Sequence, residues 1–148
     1  MLTMREQRQK IVSTVKDCES LEQKSAQSIR QVKAKCGNPL VYLVLDIIEN
    51  DARQHQRLLE FIVNSLEREP LTLSPDEVGG IMELIRDHTQ LKAQMIQKVE
   101  TLLETTKDKS LHIQEFLLKT LLADEKKHQG MLEGIAEVMQ GLYPYWPH

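Results

Sequence analysis

Apolar residues recur every three or four positions along four long stretches of the chain. Shorter stretches rich in glycine, proline or small polar residues separate them: "KCGNPL" (35–40), "REPLTLSPDEVGG" (68–80) and "TTKDKS" (105–110). This periodicity is that of amphipathic helices, and no stretch alternates as a strand does. The pattern predicts an all-α fold of four long helices. Their expected ranges are about 3–35, 39–67, 75–105 and 110–140.

Two of the helix starts carry capping signals. Asn38 precedes a proline, and Ser74 precedes Pro75 and two acidic residues. Asparagine and serine side chains accept hydrogen bonds from first-turn amides, and proline suits the first helical position. These signals predict that helix 2 begins at residue 39 and helix 3 at residue 75. If "VGG" (78–80) breaks helix 3, its main part begins near Ile81 instead.

Within each helix the inward positions follow an alternating four–three spacing, which is the seam of a left-handed bundle. The seam residues are Ile11, Val15, Cys18, Glu22, Ser25, Ile29 and Val32 in helix 1; Leu45, Ile48, Ala52, His55, Leu59, Ile62 and Leu66 in helix 2; Ile81, Ile85, His88, Lys92, Met95, Val99 and Leu102 in helix 3; and Leu118, Leu121, Glu125, His128, Leu132, Ile135 and Met139 in helix 4. Helix 1 overlays helix 3, and helix 2 overlays helix 4. We therefore predict one four-helix-bundle domain over residues 1–148, built from a duplicated helical hairpin.

Several seam positions hold ionisable side chains where apolar ones are expected. They are Glu22, His55, His88, Lys92, Glu125 and His128. Burying such groups costs several kcal/mol apiece unless they pair with one another or bind a cation. We expect His88 to be an ordinary core histidine. The others are expected at one level of the bundle, as a polar layer.

The stretch "LLADEKKHQGML" (121–132) resembles the Asp-Glu-x-x-His signature of the ferritin-like, rubrerythrin-like di-iron carboxylate proteins. As a pattern of helices and seam residues, the resemblance covers the whole chain. It implies a ferritin-like bundle in which each hairpin supplies a glutamate from its first helix and Glu-x-x-His from its second. Two of the six expected ligand positions depart from the family, because Ala52 and Lys92 stand where it has glutamates.

The resemblance implies a metal site made of the ligand positions that remain. These are Glu22, His55, Glu125 and His128. We expect one transition metal ion there instead of two, because the ammonium group of Lys92 repels a second cation. Carboxylate and imidazole ligands suit iron, manganese or zinc, and the sequence does not choose among them. The resemblance also implies that Asp51 and Asp124 hydrogen-bond the ligand histidines.

Two functions follow from this polar layer. In the first, the metal supports iron-linked redox or oxygen chemistry, and a separate protein donates electrons because the chain has no CxxC rubredoxin module. In the second, the chain is a non-catalytic helical scaffold or dimerisation protein. Its ancestral metal site has become an ion-pair layer, in which Lys92 bonds Glu22 and Glu125. The sequence leaves open whether the chain is an enzyme.

The charge composition bears on whether the protein binds nucleic acid or a membrane surface. The net charge is −3 and basic residues are scattered, which argues against nucleic-acid and membrane-surface binding. No apolar run approaches the roughly 20 residues of a membrane span, and the polar N-terminus lacks a secretory core. We therefore expect a cytoplasmic protein. Cys18 and Cys36 form no CxxC and indicate neither a disulfide framework nor a zinc site.

The segment "GLYPYWPH" (141–148) holds three of the six aromatic residues, Tyr143, Tyr145 and Trp146. Its prolines forbid further helix. Three exposed aromatic side chains would form an adhesive patch. We expect the segment either to fold back over the bundle end or to be buried against a second subunit, in which case the protein is a homodimer.

Overall fold

The structure, a computed structural model, describes residues 1–145, which form five α-helices and no β-strand. The helices are α1 (Met4–Ala34), α2 (Pro39–Glu67), α3 (Pro75–Val78), α4 (Met82–Thr106) and α5 (His112–Leu142). The prediction of an all-α fold is confirmed. The chain divides into two compact units, Met1–Leu71 and Thr72–His148. Each is a helical hairpin: α1 packs against α2 in hairpin 1, and α4 packs against α5 in hairpin 2.

Both helices of hairpin 1 begin with a side-chain N-cap. At the start of α1, the Thr3 hydroxyl accepts a hydrogen bond from the Glu6 amide, and the Glu6 carboxylate accepts one from the Thr3 amide. The bond from the Thr3 backbone lowers the pKa of Glu6. At the start of α2, Asn38 Oδ1 accepts from the amides of Leu40 (2.9 Å) and Val41 (3.1 Å). The predicted cap at Asn38 is confirmed.

The third predicted helix is interrupted near its start. Ser74 and Glu77 form a capping box, but α3 lasts only from Pro75 to Val78. A turn over residues 79–81 follows, and the long helix α4 begins at Met82. Of the two starts considered from sequence, the later one is found for the long helix, because a glycine pair is costly to order in a helix. Val78 and Met82 both pack against Met139 of α5, with Leu73 and Ile85 around them.

The predicted seam divides into two columns with different surroundings, each with seven-residue spacing. The hairpin column is at least half-buried throughout, and comprises Val15, Glu22, Ile29, Leu45, Ala52, Leu59, Leu66, Ile85, Lys92, Val99, Leu118, Glu125, Leu132 and Met139. The outer column is mostly exposed, and comprises Ile11, Cys18, Ser25, Val32, Ile48, His55, Ile62, Ile81, His88, Met95, Leu102, Leu121, His128 and Ile135. The hairpin column is therefore buried in each hairpin together with positions that the predicted seam left out, whereas the outer column is not. The positions left out include Val12, Ala26, Glu49, Val63 and Met82.

Some sequence-based expectations about burial were wrong. His88, expected in the core, is exposed because it belongs to the outer column. Tyr145 is 99% exposed and therefore does not fold back onto the chain, while Trp146 lies outside the described residues. Burial of this segment against a second subunit, the other expectation, stays a prediction. Cys18 and Cys36 are free and half-buried.

Over residues 1–145, no helix combines the length and apolar character needed to span a membrane.

Candidate functional site

Hairpin 1 brings together two of the predicted metal ligands. His55 Nδ1 of α2 lies 3.1 Å from Glu22 Oε1 of α1. Glu22 belongs to the hairpin column and its side chain is 27% exposed, whereas the side chain of His55, in the outer column, is 53% exposed. The two side chains meet because Glu22 and His55 lie at the same level of the antiparallel helices α1 and α2. It joins a carboxylate to an imidazole, the two donor types that the resemblance implies.

Hairpin 2 joins a predicted ligand to a cationic side chain. Lys92 Nζ of α4 lies 2.9 Å from Glu125 Oε2 of α5, and the side chains are 20% and 11% exposed. Oε2 itself is buried, and within residues 1–145 no donor reaches it in hydrogen-bond geometry. The contact is therefore a close pairing of charges. This part of the predicted ion-pair layer is present in the structure.

The remaining predicted site residues lie on the same helices. His128 is half-buried in the outer column of α5. Asp124 Oδ1 lies 3.4 Å from Lys127 Nζ on its own helix, and Asp51 is half-buried on α2. Ala52 is 3% exposed, so the position that holds a ligand glutamate in the resembled family is here a core methyl group. Support of a ligand histidine by either aspartate would need both hairpins and stays a prediction.

Neither hairpin by itself fits a transition metal ion. Over residues 1–145, no group of three or more histidine, cysteine, aspartate and glutamate side chains is arranged to hold one. Hairpin 1 offers two donors, Glu22 and His55, whereas the charge next to Glu125 in hairpin 2 is an ammonium, which repels a metal cation. The predicted ligand set takes two residues from each hairpin. It stays a prediction.

A second polar cluster, which sequence reasoning missed, lies in hairpin 1. Glu49 of α2 is 4% exposed and accepts hydrogen bonds from Lys33 Nζ (2.8 Å) and Arg53 Nη2 (2.7 Å). Arg30 Nε approaches the same carboxylate at 3.5 Å. Lys33 also donates to Asp46 Oδ1 at 2.8 Å. Two features could have revealed the cluster: Glu49 lies one turn before Ala52, and Arg53 follows it at i+4.

This cluster shifts the pKa values of its central pair in opposite directions. Hydrogen bonds from Lys33 and then Arg53 hold the pKa of Glu49 below its usual value. Hydrogen bonds to Asp46 and then Glu49 raise the pKa of Lys33 above its usual value, and the ammonium also lies 4.9 Å from the ring centre of Tyr42. Because the pKa of Glu49 is lower in the folded protein than its usual value of 4.5, its carboxylate stabilises the fold at pH values above 4.5. That stabilisation disappears as the pH falls through the lowered pKa.

We therefore expect the thermal midpoint to fall as the pH drops below 4.5, partly through Glu49. Glu49→Gln should lower the midpoint at pH 7 by about 5 °C or more. It should also make the midpoint fall less steeply as the pH is lowered. The measurement is thermal unfolding followed by circular dichroism across pH. The control is Glu60→Gln, an exposed change on the same helix. If the midpoint of Glu49→Gln fell as steeply at acidic pH as that of the wild type, the Glu49 cluster would not contribute to the acid sensitivity.

Comparison with known proteins adds no relative. No protein-family model, no curated protein and no solved structure gives a significant match to this chain.

Proposed function

We propose that this protein is a non-catalytic helical scaffold in which ion pairs stand where ferritin-like proteins bind metal. The observation that carries the proposal is the 2.9 Å contact between Lys92 Nζ and Glu125 Oε2, with Glu125 itself 8% exposed. A lysine ammonium supplies the positive charge that a metal ion would otherwise supply to a buried carboxylate. The buried carboxylate of Glu125 is thus compensated without a bound ion.

The two departures from the resembled pattern support the proposal together. Replacing two ligand glutamates by Ala52 and Lys92 removes two negative charges and adds one positive charge. A metal site depends on that negative charge, whereas an ion-pair layer needs near-neutrality. Ala52 also packs as a core residue at 3% exposure. The substitutions are therefore consistent with one change of role: from ligand to structural support.

We also propose that the two hairpins are copies of one ancestral hairpin of ferritin-like type. The support is positional. Val12 of α1 corresponds to Met82 of α4, and both are buried. Ala52 of α2 corresponds to Glu125 of α5, and these two are also buried. The hairpin columns keep the same seven-residue spacing in both units.

A second candidate function, binding of one iron, manganese or zinc ion, is favoured by one specific contact. Glu22 Oε1 and His55 Nδ1 lie 3.1 Å apart, and both atoms are good donors to such metals. In this candidate, Glu125 and His128 complete the ligand set, Asp51 and Asp124 support the histidines, and a separate electron donor serves any redox chemistry.

Metal content separates the two functions. The full-length protein is purified without chelators, incubated with each metal in turn, desalted and measured by elemental analysis. The scaffold proposal predicts metal at background level for the wild type. About one equivalent per chain, lost in Glu125→Ala and kept in Glu137→Ala, would overturn it in favour of the metal site. Glu137 is the matched control because it is an exposed glutamate on the same helix.

A further inference from the structure

The hydrogen bond between Glu22 and His55 determines which ring nitrogen of the histidine carries its proton. Glu22 Oε1 lies 3.1 Å from His55 Nδ1. An ionised carboxylate only accepts hydrogen bonds, whereas a ring nitrogen of neutral imidazole either donates or accepts. The bond therefore requires the proton to be on Nδ1. In the neutral ring, Nε2 then keeps the only free lone pair.

The two side chains of this pair are not shared with other polar groups. Over residues 1–145, no other hydrogen bond or ion pair involves either Glu22 or His55. The carboxylate is therefore not divided between competing donors. The imidazole has no second partner that would draw its proton to Nε2.

Hairpin 2 contains the corresponding histidine without the carboxylate. His128 of α5 corresponds to His55 of α2, and Lys92 of α4 stands where α1 has Glu22. An ammonium group has three donors and no acceptor, so it cannot accept a hydrogen bond from a ring nitrogen. Lys92 is paired instead with Glu125, at 2.9 Å. The two hairpins thus provide a comparison within one molecule.

We propose that Glu22 is a positioning residue for His55: its carboxylate holds the ring proton on Nδ1 and leaves Nε2 as the one donor atom for a divalent transition metal ion. A neutral imidazole lone pair suits that class of ligand. The resemblance implies that Glu22 itself is a metal ligand, and the geometry disagrees, because Glu22 contacts the ring at the other nitrogen. Carboxylates in that position orient ligand histidines.

This inference goes beyond the scaffold function and does not rest on it, because the ring has a defined tautomer whether or not a metal ion is bound. Binding through one imidazole is weak enough to be lost on desalting. It is therefore compatible with metal at background level in the elemental analysis. Failure of the scaffold proposal and failure of this inference are thus observed in different measurements.

The experiment is a long-range proton–nitrogen NMR correlation spectrum of the isotope-labelled, full-length protein. It is recorded at about pH 8, above the ordinary histidine pKa of about 6.5. The spectrum distinguishes a protonated ring nitrogen from a bare one, and His55→Gln and His128→Gln assign the signals. We expect the Nδ1-protonated form for His55. We expect the Nε2-protonated form for His128, because neutral histidine prefers that form in water.

Glu22→Ala should shift His55 to the Nε2-protonated form. Asp17→Ala is the matched control, since Asp17 is an exposed carboxylate on the same helix, and it should leave the His55 signals unchanged. Circular dichroism checks that both variants keep their helix content. A wild-type His55 protonated on Nε2 would overturn the proposal, as would an unchanged His55 tautomer in Glu22→Ala. The same tautomer in both histidines of the wild type would also contradict it.

Excess zinc ion, added to the same samples, tests which nitrogen a metal ion meets. Zinc should move the Nε2 signal of His55 and leave Nδ1 protonated. Glu22→Ala should weaken this binding by about tenfold or more. Loss of the Nδ1 proton on addition of zinc would overturn the assignment of Nε2 as the donor. His55 signals that do not respond to zinc would overturn its role as a donor altogether.

Discussion

Lys92→Met lowers the free energy of unfolding by about 2–4 kcal/mol, measured by urea denaturation at pH 7. The methionine keeps most of the side-chain volume but removes the ammonium 2.9 Å from Glu125 Oε2. The carboxylate then stays in a site where it is 11% exposed with no opposite charge beside it. Breaking one partner of a buried pair is costly for this reason, and the residual exposure of both side chains moderates the loss.

The double variant Lys92→Met, Glu125→Leu should recover most of this loss, because removing both charges leaves no buried ion to compensate. Lys98→Met serves as the control, since Lys98 is an exposed lysine on the same helix, and its effect should stay within about 0.5 kcal/mol. If the double variant were no more stable than Lys92→Met, the loss would come from packing and not from the unpaired charge. The proposed role of Lys92 would then fail.

Met139→Ala lowers the free energy of unfolding by about 2–5 kcal/mol, the range observed when a large buried aliphatic side chain is truncated. Met139 is fully buried, at 0% exposure, and lies against Val78 and Met82. Truncation removes the contact that holds the short helix α3 and the start of α4 against α5. Urea denaturation measures the loss, and hydrogen exchange should show earlier opening of the α3 amides than in the wild type.

Met131→Ala is the matched control for Met139→Ala. Both methionines lie on α5, but Met131 is 57% exposed. Its truncation should change stability by no more than about 0.5 kcal/mol. Equal losses in the two variants would show that the Val78–Met82–Met139 cluster is not the core of hairpin 2.

The sequence by itself determined the helices and much of their register. Helical periodicity and the capping residues Asn38 and Ser74 are local properties, and local backbone geometry follows from them directly. The same register placed Glu22 beside His55, and Lys92 beside Glu125, because seam residues at one level of an antiparallel pair meet across it. The Lys92–Glu125 pair could thus be predicted before any coordinates.

The tertiary structure alone decided which seam column each helix turns toward its neighbour. A four–three spacing is equally consistent with either column facing inward, and in the structure the rotation of the helices buries Ala26 and Ala52, at 1% and 3% exposure. That rotation exposes His55 and His88, and it buries Glu49 among Lys33 and Arg53. Contacts between residues far apart in sequence depend on this rotation. Periodicity, which is a property of one helix, cannot supply it.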